Sequence, residues 1–380
     1  MGTAGKYCIA GVGQTAYGKL PGRSAESLTV EAIHNALADA GIGKGEIDCV
    51  LTKAPTSDFQ MLFSTRIAEC IGVIPKVTAT IDNAGASTAT AIAYAAMCIE
   101  AGLCSAAVVS YGDNPVTGSR KVYSELGGAH SAPYGLLGAA GHYALIAQRY
   151  LHECGKSPED LAAVPLGDRA WAQGNPNAYF RKPLTLAEYL GARWVVEPFR
   201  LFDCCPITDG AAAVVVVSAA RAKDLAKQPV YLAGFGQGHC AAELTSRTTL
   251  TASGALQSGK TAFAMAGITP GDVDFPQLYD PFSIVPPITL EEYGFCARGE
   301  GLDFLAHGRT APQGALPMNT SGGLLSETGM PGMQLIVEAV RQLRGECGER
   351  QVREAAVGVV SNQGGYMTTH ATLVLTNRPL

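Results

Sequence analysis

The sequence predicts an α/β fold built from two related halves, with sheets covered by helices on both faces. Three observations predict it. Strands and helices alternate along most of the chain. Segments of the first third recur, in the same order, in the last third. One helix in the first third is made almost wholly of small apolar residues, the pattern of a helix buried on all sides. A length of 380 residues exceeds one ordinary core and fits two units of about 150 to 200 residues, or one large α/β assembly.

In chain order, YCIAGVGQTAYG (7–18) reads as a strand ending in glycines, and SAESLTVEAIHNALADAGI (24–42) as a helix with a capping start at Ser24 to Glu26. IDCVLT (47–52) is a short apolar strand, and 59–73 is a second helix. KVTATID (76–82) is a strand leading into NAGASTATAIAYAAMCIEAGLCSAAVVSYG (83–112), a helix followed by a strand. Such lengths predict a mainly parallel sheet. From Asp113 to about Cys205 the texture changes to Gly-, Pro- and Tyr-containing loops with helical HYALIAQRYLHECG and SPEDLAAVPLGDRAWAQ, which reads as an insertion. DGAAAVVVVSAARAKDL (209–225) resumes the sheet with a four-valine core strand, and PVYLAGFGQG (229–238) repeats the sense of the first strand. The division is therefore an N-terminal half of 1–112 with 203–225, an inserted region 113–202, and a C-terminal half 226–380.

The repeat is explicit. ALADAGIGKGEIDCV (36–50) matches AFAMAGITPGDVDFP (262–276), helix end, turn and strand start together. Ala106–Ser110 matches Ala355–Ser361, and between the paired segments Asn319-Thr320-Ser321-Gly322-Gly323 leads into a helix ending VEAVRQLRG, as Asn83 leads into the first central helix. The start of that first helix has chemistry of its own. Ala84, Gly85, Ala86, Ser87 and Thr88 present nothing bulky to shield backbone N–H groups that lack intrahelical partners. With Asn83 as N-cap, the start can receive an oxyanion. The same residues also fit a plain core helix after a tight turn.

Composition narrows the classes. Apolar residues make up 47 % and charged residues 16 %, a well-packed globular chain. A net charge of −5 with no basic block excludes strong nucleic-acid binding. No apolar run is long enough to span a bilayer, and MGTAGKYCIAG has no signal-peptide pattern, so a cytoplasmic protein without membrane partners is expected. The 11 cysteines include no CxxC pair, and the 7 histidines no HxxxH spacing. Reduced thiols and no metal site are expected.

Several motifs together carry a resemblance. The PLT within Arg181–Thr185, DCCPITDGAAAVVVV (203–217), NTSGGLLSE (319–327) and the late NQGGY (362–366) resemble the thiolase superfamily, in its sterol-carrier-protein-type and lipid-transfer-protein-like branch. The resemblance covers essentially the whole chain. It implies duplicated α/β halves packed as a five-layered αβαβα assembly, with the loop insertion in the first half.

Departures from the thiolase pattern decide the expected chemistry. Gly85 stands where thiolases carry a nucleophilic cysteine at a helix N-terminus. Tyr279-Asp280-Pro281-Phe282 replaces the HDxF-type motif, 326–331 contains no histidine, and Asn362-Gln363-Gly364-Gly365 replaces the second cysteine. Cys98 and Cys104 lie too far down the helix to substitute, so acyl transfer is not expected. The backbone cradle at Gly85, Gly364 and Gly365 remains, and such N–H groups still stabilise a thioester enolate.

A Cys-less chain with tyrosine in the HDxF place is similar to the steroid side-chain aldolases, which implies retro-aldol cleavage of a bulky β-hydroxyacyl-CoA without a covalent intermediate. In this reading Tyr279 moves the hydroxyl proton, Asp280 orients it or caps the following turn, and Tyr366 is the best-placed second proton carrier. Tyr293, His370 and Glu327 are the other candidates, because Gly329 occupies the place where those aldolases have a second tyrosine. Asn319 is a candidate oxyanion residue or a turn residue, and His130 and His142 either line the pocket or build the loop. The CoA thioester is the substrate, with no permanently bound cofactor. The resemblance further implies a homodimer and a separate OB-fold, zinc-ribbon partner subunit, giving a heterotetramer. A catalytically silent acyl-CoA- or partner-binding subunit is the alternative, and a decarboxylase or Claisen-type condensing subunit a more distant one.

Overall fold

The computed structural model describes residues 5–120, 131–136, 138–241, 243–330 and 332–380; His130 lies outside them. The first half runs β1 (Tyr7–Gln14), helix Ala25–Ala40, β2 (Cys49–Thr52), helix Phe63–Ile71, β3 (Val77–Thr80), helix Ser87–Glu100 and β4 (Ala106–Asp113). The inserted stretch holds helices Gly138–Cys154, Ala163–Ala172 and Leu186–Leu190 and a two-stranded ribbon, β5 (Trp194–Val196) with β6 (Phe199–Arg200). β7 (Gly210–Ser218) then returns to the first sheet. The second half runs β8 (Val230–His239), helix Ala255–Ala266, β9 (Phe275–Leu278), helix Val285–Tyr293, helix Met333–Leu343, β10 (Val357–Gly364) and β11 (Thr369–Thr376).

The strands form one nine-stranded sheet in the order β3-β2-β4-β7-β1-β8-β11-β10-β9. Its two halves are joined by β1 and β8 through only two residue pairs, Cys8 with Tyr231 and Ile9 with Val230. The expectation of a mainly parallel sheet is corrected: β2–β3, β2–β4 and β9–β10 are parallel, and every other pairing is antiparallel. Parallel pairing needs a crossover. β10 and β11 are instead joined by a tight turn, and β7 comes back from the insertion running against both β4 and β1.

The repeat of the sequence is a repeat of structure. Helices Ala25–Ala40 and Ala255–Ala266 both end on a left-handed glycine, Gly41 (φ 69°) and Gly267 (φ 70°), each followed by a short 3-10 turn and a parallel strand. Positive φ at a helix end costs a glycine little, so the same residue recurs. Ser24 Oγ caps the first of these helices by accepting from Ser27 N–H (3.1 Å).

Packing produces the layers. Helices 25–40 and 63–71 cover the outer face of the first half-sheet, with Leu28, Ile33, Phe63 and Ile67 against Val215 and Val217. Helix 255–266 covers the second, with Phe263 and Ala266 against Val359 and Val374. Between the half-sheets lie helices Ser87–Glu100 and Met333–Leu343, whose Ile92, Ala96, Ile336 and Val340 share one core with Val109, Val214, Val360 and Leu373. This is the helix–sheet–helix–sheet–helix stack that the resemblance implies.

Three local expectations are corrected. Asn83 is not the N-cap of the first central helix: the helix begins at Ser87 after Ala86, with no side-chain cap. Ser87 Oγ instead bridges the turn, accepting from Asn83 N–H (2.8 Å) and donating to Ala84 O (2.7 Å), because its hydroxyl reaches both groups from the first helical position. That helix is not buried all round either, since Tyr94 and Met97 are 37 % and 55 % exposed. Finally, Asn319–Gly323 does not run directly into the second central helix. A single π-helical turn, Gly323–Glu327, comes first, and the helix starts at Met333.

Candidate active site

The two halves meet where β9 and β10 end beside the start of the first central helix. Tyr279 directly follows β9 and donates its backbone N–H to Ser361 O of β10 (3.1 Å). Asn362, wholly buried on β10, crosses to the other half, its amide donating to Gly85 O (3.3 Å) and Thr88 Oγ1 (3.0 Å). These bonds hold Gly85 against Gln363 and Tyr279. A Cβ on residue 85 would lie 2.2 Å from Gln363 O and 2.4 Å from the Tyr279 hydroxyl oxygen. The missing side chain is therefore the space that the tyrosine hydroxyl fills.

A cavity of about 440 Å³ opens here. Gly85, Tyr279, Gly364, Gly365 and Tyr366 all line it, so five of the sequence-derived site residues come together on one wall system. Asp280 and Asn319 do not line it. The Asp280 carboxylate is fully buried and accepts from Leu324 N–H (2.8 Å) and Leu325 N–H (3.0 Å), capping the π-helical turn. Burial pushes its carboxyl up to about 6, against the hydrogen bonds from Asp168 and the turn that favour the anion. Burial, with the neighbouring Asp280 charge, raises Asp168 well above the usual carboxylate range, so Asp168 keeps the proton that it donates to Asp280. Asn319 sits in a left-handed conformation (φ 49°) with its Oδ1 accepting from Leu278 N–H (2.7 Å) and its own carbonyl accepting from Gly322 N–H (2.7 Å). Both residues shape the turn behind Tyr279: of the two roles expected of each, the turn role is the one their hydrogen bonds serve, and neither residue reaches the cavity wall.

The loop after β10 is fixed from the inserted region. The Tyr143 hydroxyl, on helix Gly138–Cys154, donates to Gly365 O (2.9 Å), and the Gln363 amide reaches the same hydroxyl. Gln363 Oε1 in turn accepts from Met367 N–H (3.0 Å). Burial raises the Tyr143 phenol above its ordinary range, which keeps it a donor. The Tyr366 ring stacks on the buried His142 ring at 3.8 Å and 3°, and Arg247 donates to Tyr366 O (2.8 Å). Burial and the Glu243 charge raise the Tyr366 phenol as well. His142 thus backs a cavity residue.

The remaining proton-carrier candidates lie elsewhere. His370 is buried on β11, its Nδ1 3.4 Å from Ser253 Oγ, and burial with the Arg247 charge lowers its imidazole to about 3, so it is neutral. Tyr293 bonds Thr372 inside the second half's core. Glu327 is buried away from the cavity with Ser321 and Asn175, pushed up to about 7 by burial and the Glu338 charge. Gly329 does line the cavity, and a Cβ there would lie 1.8 Å from Pro206 O. The polypeptide after β6 closes the place of a second tyrosine.

Several lining residues escaped the sequence reading. Cys204 and Cys205 line the cavity, unlike Cys98 and Cys104, the thiols nearest in sequence to Gly85. Burial pushes the Cys205 thiol up to about 12 and raises Cys204 too, so neither offers a thiolate. Tyr143, Lys53, Thr56 and Asp113 also line it. Only Lys53 had a signal, as a lone cation directly after an apolar strand. Among the described residues, no three His, Cys, Asp or Glu side chains gather as a metal cage, and no helix is long and apolar enough to cross a membrane.

The sequence pattern described as "Thiolase C-terminal domain-like" matches residues 236–377. The chain is 38 % identical over 362 residues to a 17-hydroxy-3-oxo-4-pregnene-20-carboxyl-CoA lyase of Mycobacterium tuberculosis, covering 90 % of this chain and 92 % of that one. It is 36 % identical over 360 residues to a steroid side-chain-cleaving aldolase of Thermomonospora curvata, covering 90 % and 91 %. Among solved structures, an Ltp2-ChsH2(DUF35) aldolase superposes with a TM-score of 0.90 at 34 % identity, over 100 % of each chain.

Proposed function

The chain belongs to the thiolase superfamily, beside its steroid side-chain-cleaving aldolases, and from that membership we propose that it cleaves a bulky β-hydroxyacyl-CoA by a retro-aldol reaction. It is an aldolase-type lyase. The single observation that carries the reading is the exchange at Gly85: the side-chain volume of a thiolase nucleophile is absent, and the Tyr279 hydroxyl fills its place beside an intact glycine cradle.

The chemistry follows from the residues around the cavity. The β-hydroxyl loses its proton to a base at the Tyr279 position, and its oxygen closes to a carbonyl as the Cα–Cβ bond breaks. The electron pair passes into the thioester enolate, whose oxygen is held by N–H groups of Gly85, Gly364 and Gly365. Tyr366, whose phenol is held above its ordinary range, suits return of a proton to Cα. The products are a ketone or aldehyde and a shorter acyl-CoA, with no bond to the protein at any point. The CoA thioester is substrate, and the reaction needs no resident cofactor.

The solved relative is an aldolase assembled with a DUF35 subunit, and this chain is proposed to work with a separate OB-fold, zinc-ribbon partner. A homodimer is proposed as well. Edge strand β3 alternates half-buried and exposed residues, and Tyr94, Met97 and Ile74 lie exposed in the same half. Two such heterodimers make a heterotetramer in the cytoplasm. One observation favours a silent binding subunit instead, the closure of the Gly329 position by Pro206.

The test is release of carbonyl product from a panel of β-hydroxyacyl-CoA thioesters, by wild type and by Tyr279→Phe, with the partner subunit present. Cleavage that falls at least 100-fold in the Phe variant, the upper part of the range for positioned proton transfer, supports the reading. Binding of the thioesters without cleavage of any of them supports the silent subunit.

A further inference from the structure

Two adjacent residues of the inserted region, His142 and Tyr143 on helix Gly138–Cys154, meet the loop that follows β10. Tyr143 is buried and touches both site loops. Its ring stacks on Phe282, three residues after Tyr279, at 4.5 Å and 28°, and meets the Tyr366 ring edge-on at 6.2 Å. Its hydroxyl donates to Gly365 O (2.9 Å) and accepts from the Gln363 amide. A phenol has one proton to give. Because the Gln363 amide is itself a donor, that proton goes to Gly365 O, and burial, by raising the phenol, keeps it there.

The loop gains from such a hold. Gly364 and Gly365 have no Cβ, and Gly365 stands at φ 62°, so the peptide planes beside it turn over at less cost than those of other residues. A trans peptide points its N–H opposite to its C=O, and a bond to each carbonyl therefore fixes the N–H of the next residue. Gly364 O accepts from Thr368 N–H (3.2 Å) and Thr368 Oγ1 (3.3 Å), which sets the Gly365 N–H. Tyr366 O accepts from Arg247 (2.8 Å), and the Met367 N–H of that plane is spent on Gln363 Oε1 (3.0 Å). The plane between them, Gly365 to Tyr366, has the Tyr143 hydroxyl on its carbonyl. Thr368 and Arg247 belong to the second half, whereas Tyr143 comes from the insertion.

We infer that Tyr143 is a positioning residue of the proposed cleavage: its hydroxyl latches the Gly365–Tyr366 peptide plane and so holds the glycine cradle and the Tyr366 ring in the arrangement that receives the thioester enolate. The inference rests on the lyase reading above and adds a residue of the inserted region to the machinery of that site. Tyr143 forms no bond to the substrate and carries no proton of the reaction. It acts through Gly365. Removing the latch loosens that plane, and because a misplacement of about 1 Å costs roughly 100-fold in rate, a cradle misplaced for much of the time loses roughly 10- to 100-fold.

Two variants release the latch from opposite sides. Tyr143→Phe deletes the hydroxyl. Gln363→Glu keeps the shape of the side chain but exchanges a donor for a carboxylate, a stronger acceptor than a carbonyl, so the Tyr143 proton turns from Gly365 O to residue 363. Each variant is assayed with the partner subunit in two reactions that share the enolate. One is carbonyl release from a β-hydroxyacyl-CoA; the other is exchange in D2O of the Cα hydrogen of the shortened acyl-CoA, in which a proton leaves and a deuteron returns through the same enolate. Rates are taken per binding site, counted on each sample by equilibrium binding of the shortened acyl-CoA, so loss of folded protein does not enter them. Both variants should lose roughly 10- to 100-fold in kcat for both reactions, with KM within about threefold of wild type. A loss in kcat below roughly 10-fold, or one carried by KM alone, overturns the latch while leaving the lyase standing. If one variant is insoluble, the other decides. If wild type cleaves no thioester, the lyase reading fails and the exchange reaction alone decides: a loss of roughly 10-fold or more in the variants upholds the latch, and a smaller loss, or no exchange by wild type, overturns it.

Discussion

Adding one methyl group at residue 85 should disable the site more than its size suggests. In Gly85→Ala the new Cβ would stand 2.2 Å from Gln363 O, 2.4 Å from the Tyr279 hydroxyl oxygen and 2.7 Å from Tyr279 Cζ. Relief to ordinary contact requires movement of about 1 Å, and one of the obstacles is backbone. Gln363 cannot yield cheaply, because its amide bonds Tyr143 and its Oε1 accepts from Met367 N–H. The tyrosine ring has to move instead. Overpacking of this kind costs about 1–3 kcal/mol of stability, and a 1 Å displacement of a reacting group costs roughly 100-fold in rate. The assay is carbonyl release from a β-hydroxyacyl-CoA by wild type, Gly85→Ala, Tyr279→Phe and the double variant. If the methyl acts by displacing the hydroxyl, most of the Gly85→Ala loss disappears once Tyr279 is Phe, a coupling of about 2 kcal/mol. A Gly85→Ala enzyme within threefold of wild type, or fully additive losses, would refute the argument that this gap positions Tyr279.

Further consequences concern stability and shape. Glu327 is raised from 4.5 to about 7 in the folded chain, so the stability tied to its protonated form is complete below pH 4.5 and is lost as pH rises through 7. Glu327→Gln should therefore melt about 3 °C above wild type at pH 8, from about 2–3 kcal/mol, and nearly with it at pH 4; a difference independent of pH would contradict the assignment. Asp280→Ala strands two buried N–H groups of the π-helical turn and should lower stability by about 2–4 kcal/mol by chemical denaturation. Gly329→Tyr should fail to add a working phenol, because its Cβ meets Pro206 O at 1.8 Å; a soluble variant with raised kcat would show that the segment after β6 yields.

Much of this architecture was legible because local signals and the duplication agreed. Gly41 and Gly267 mark equivalent helix ends, and the strands after them, β2 and β9, both pair in parallel with their neighbours. The direction of β7 and β11 was not legible, since strand composition carries no record of whether the chain arrives through a crossover or a turn. Within the site, residues contiguous with a motif were found: Gly85, Tyr279, and the run Gly364–Tyr366 all reach the cavity. Asp280 belonged to the same motif as Tyr279 and yet serves the turn, because adjacent residues point to opposite sides of a chain leaving a strand; Asn319 is spent on Leu278 N–H and Gly322 N–H. Tyr143 and Lys53 reach the cavity from separate elements and carried little or no local pattern, and Cys205, although inside the 203–217 motif, carried nothing that marked its side chain as lining the cavity. Their convergence is a tertiary fact.

The most direct measurement of the central claim is a stoichiometric product balance. The chain and its partner subunit are incubated with a β-hydroxyacyl-CoA, and carbonyl product, shortened acyl-CoA and the intact mass of the protein are followed together. The account predicts one carbonyl compound per shortened acyl-CoA, no mass added to the protein at any time, and collapse of both products in Tyr279→Phe. An acyl adduct on the protein, or turnover that survives loss of the Tyr279 hydroxyl, would contradict it.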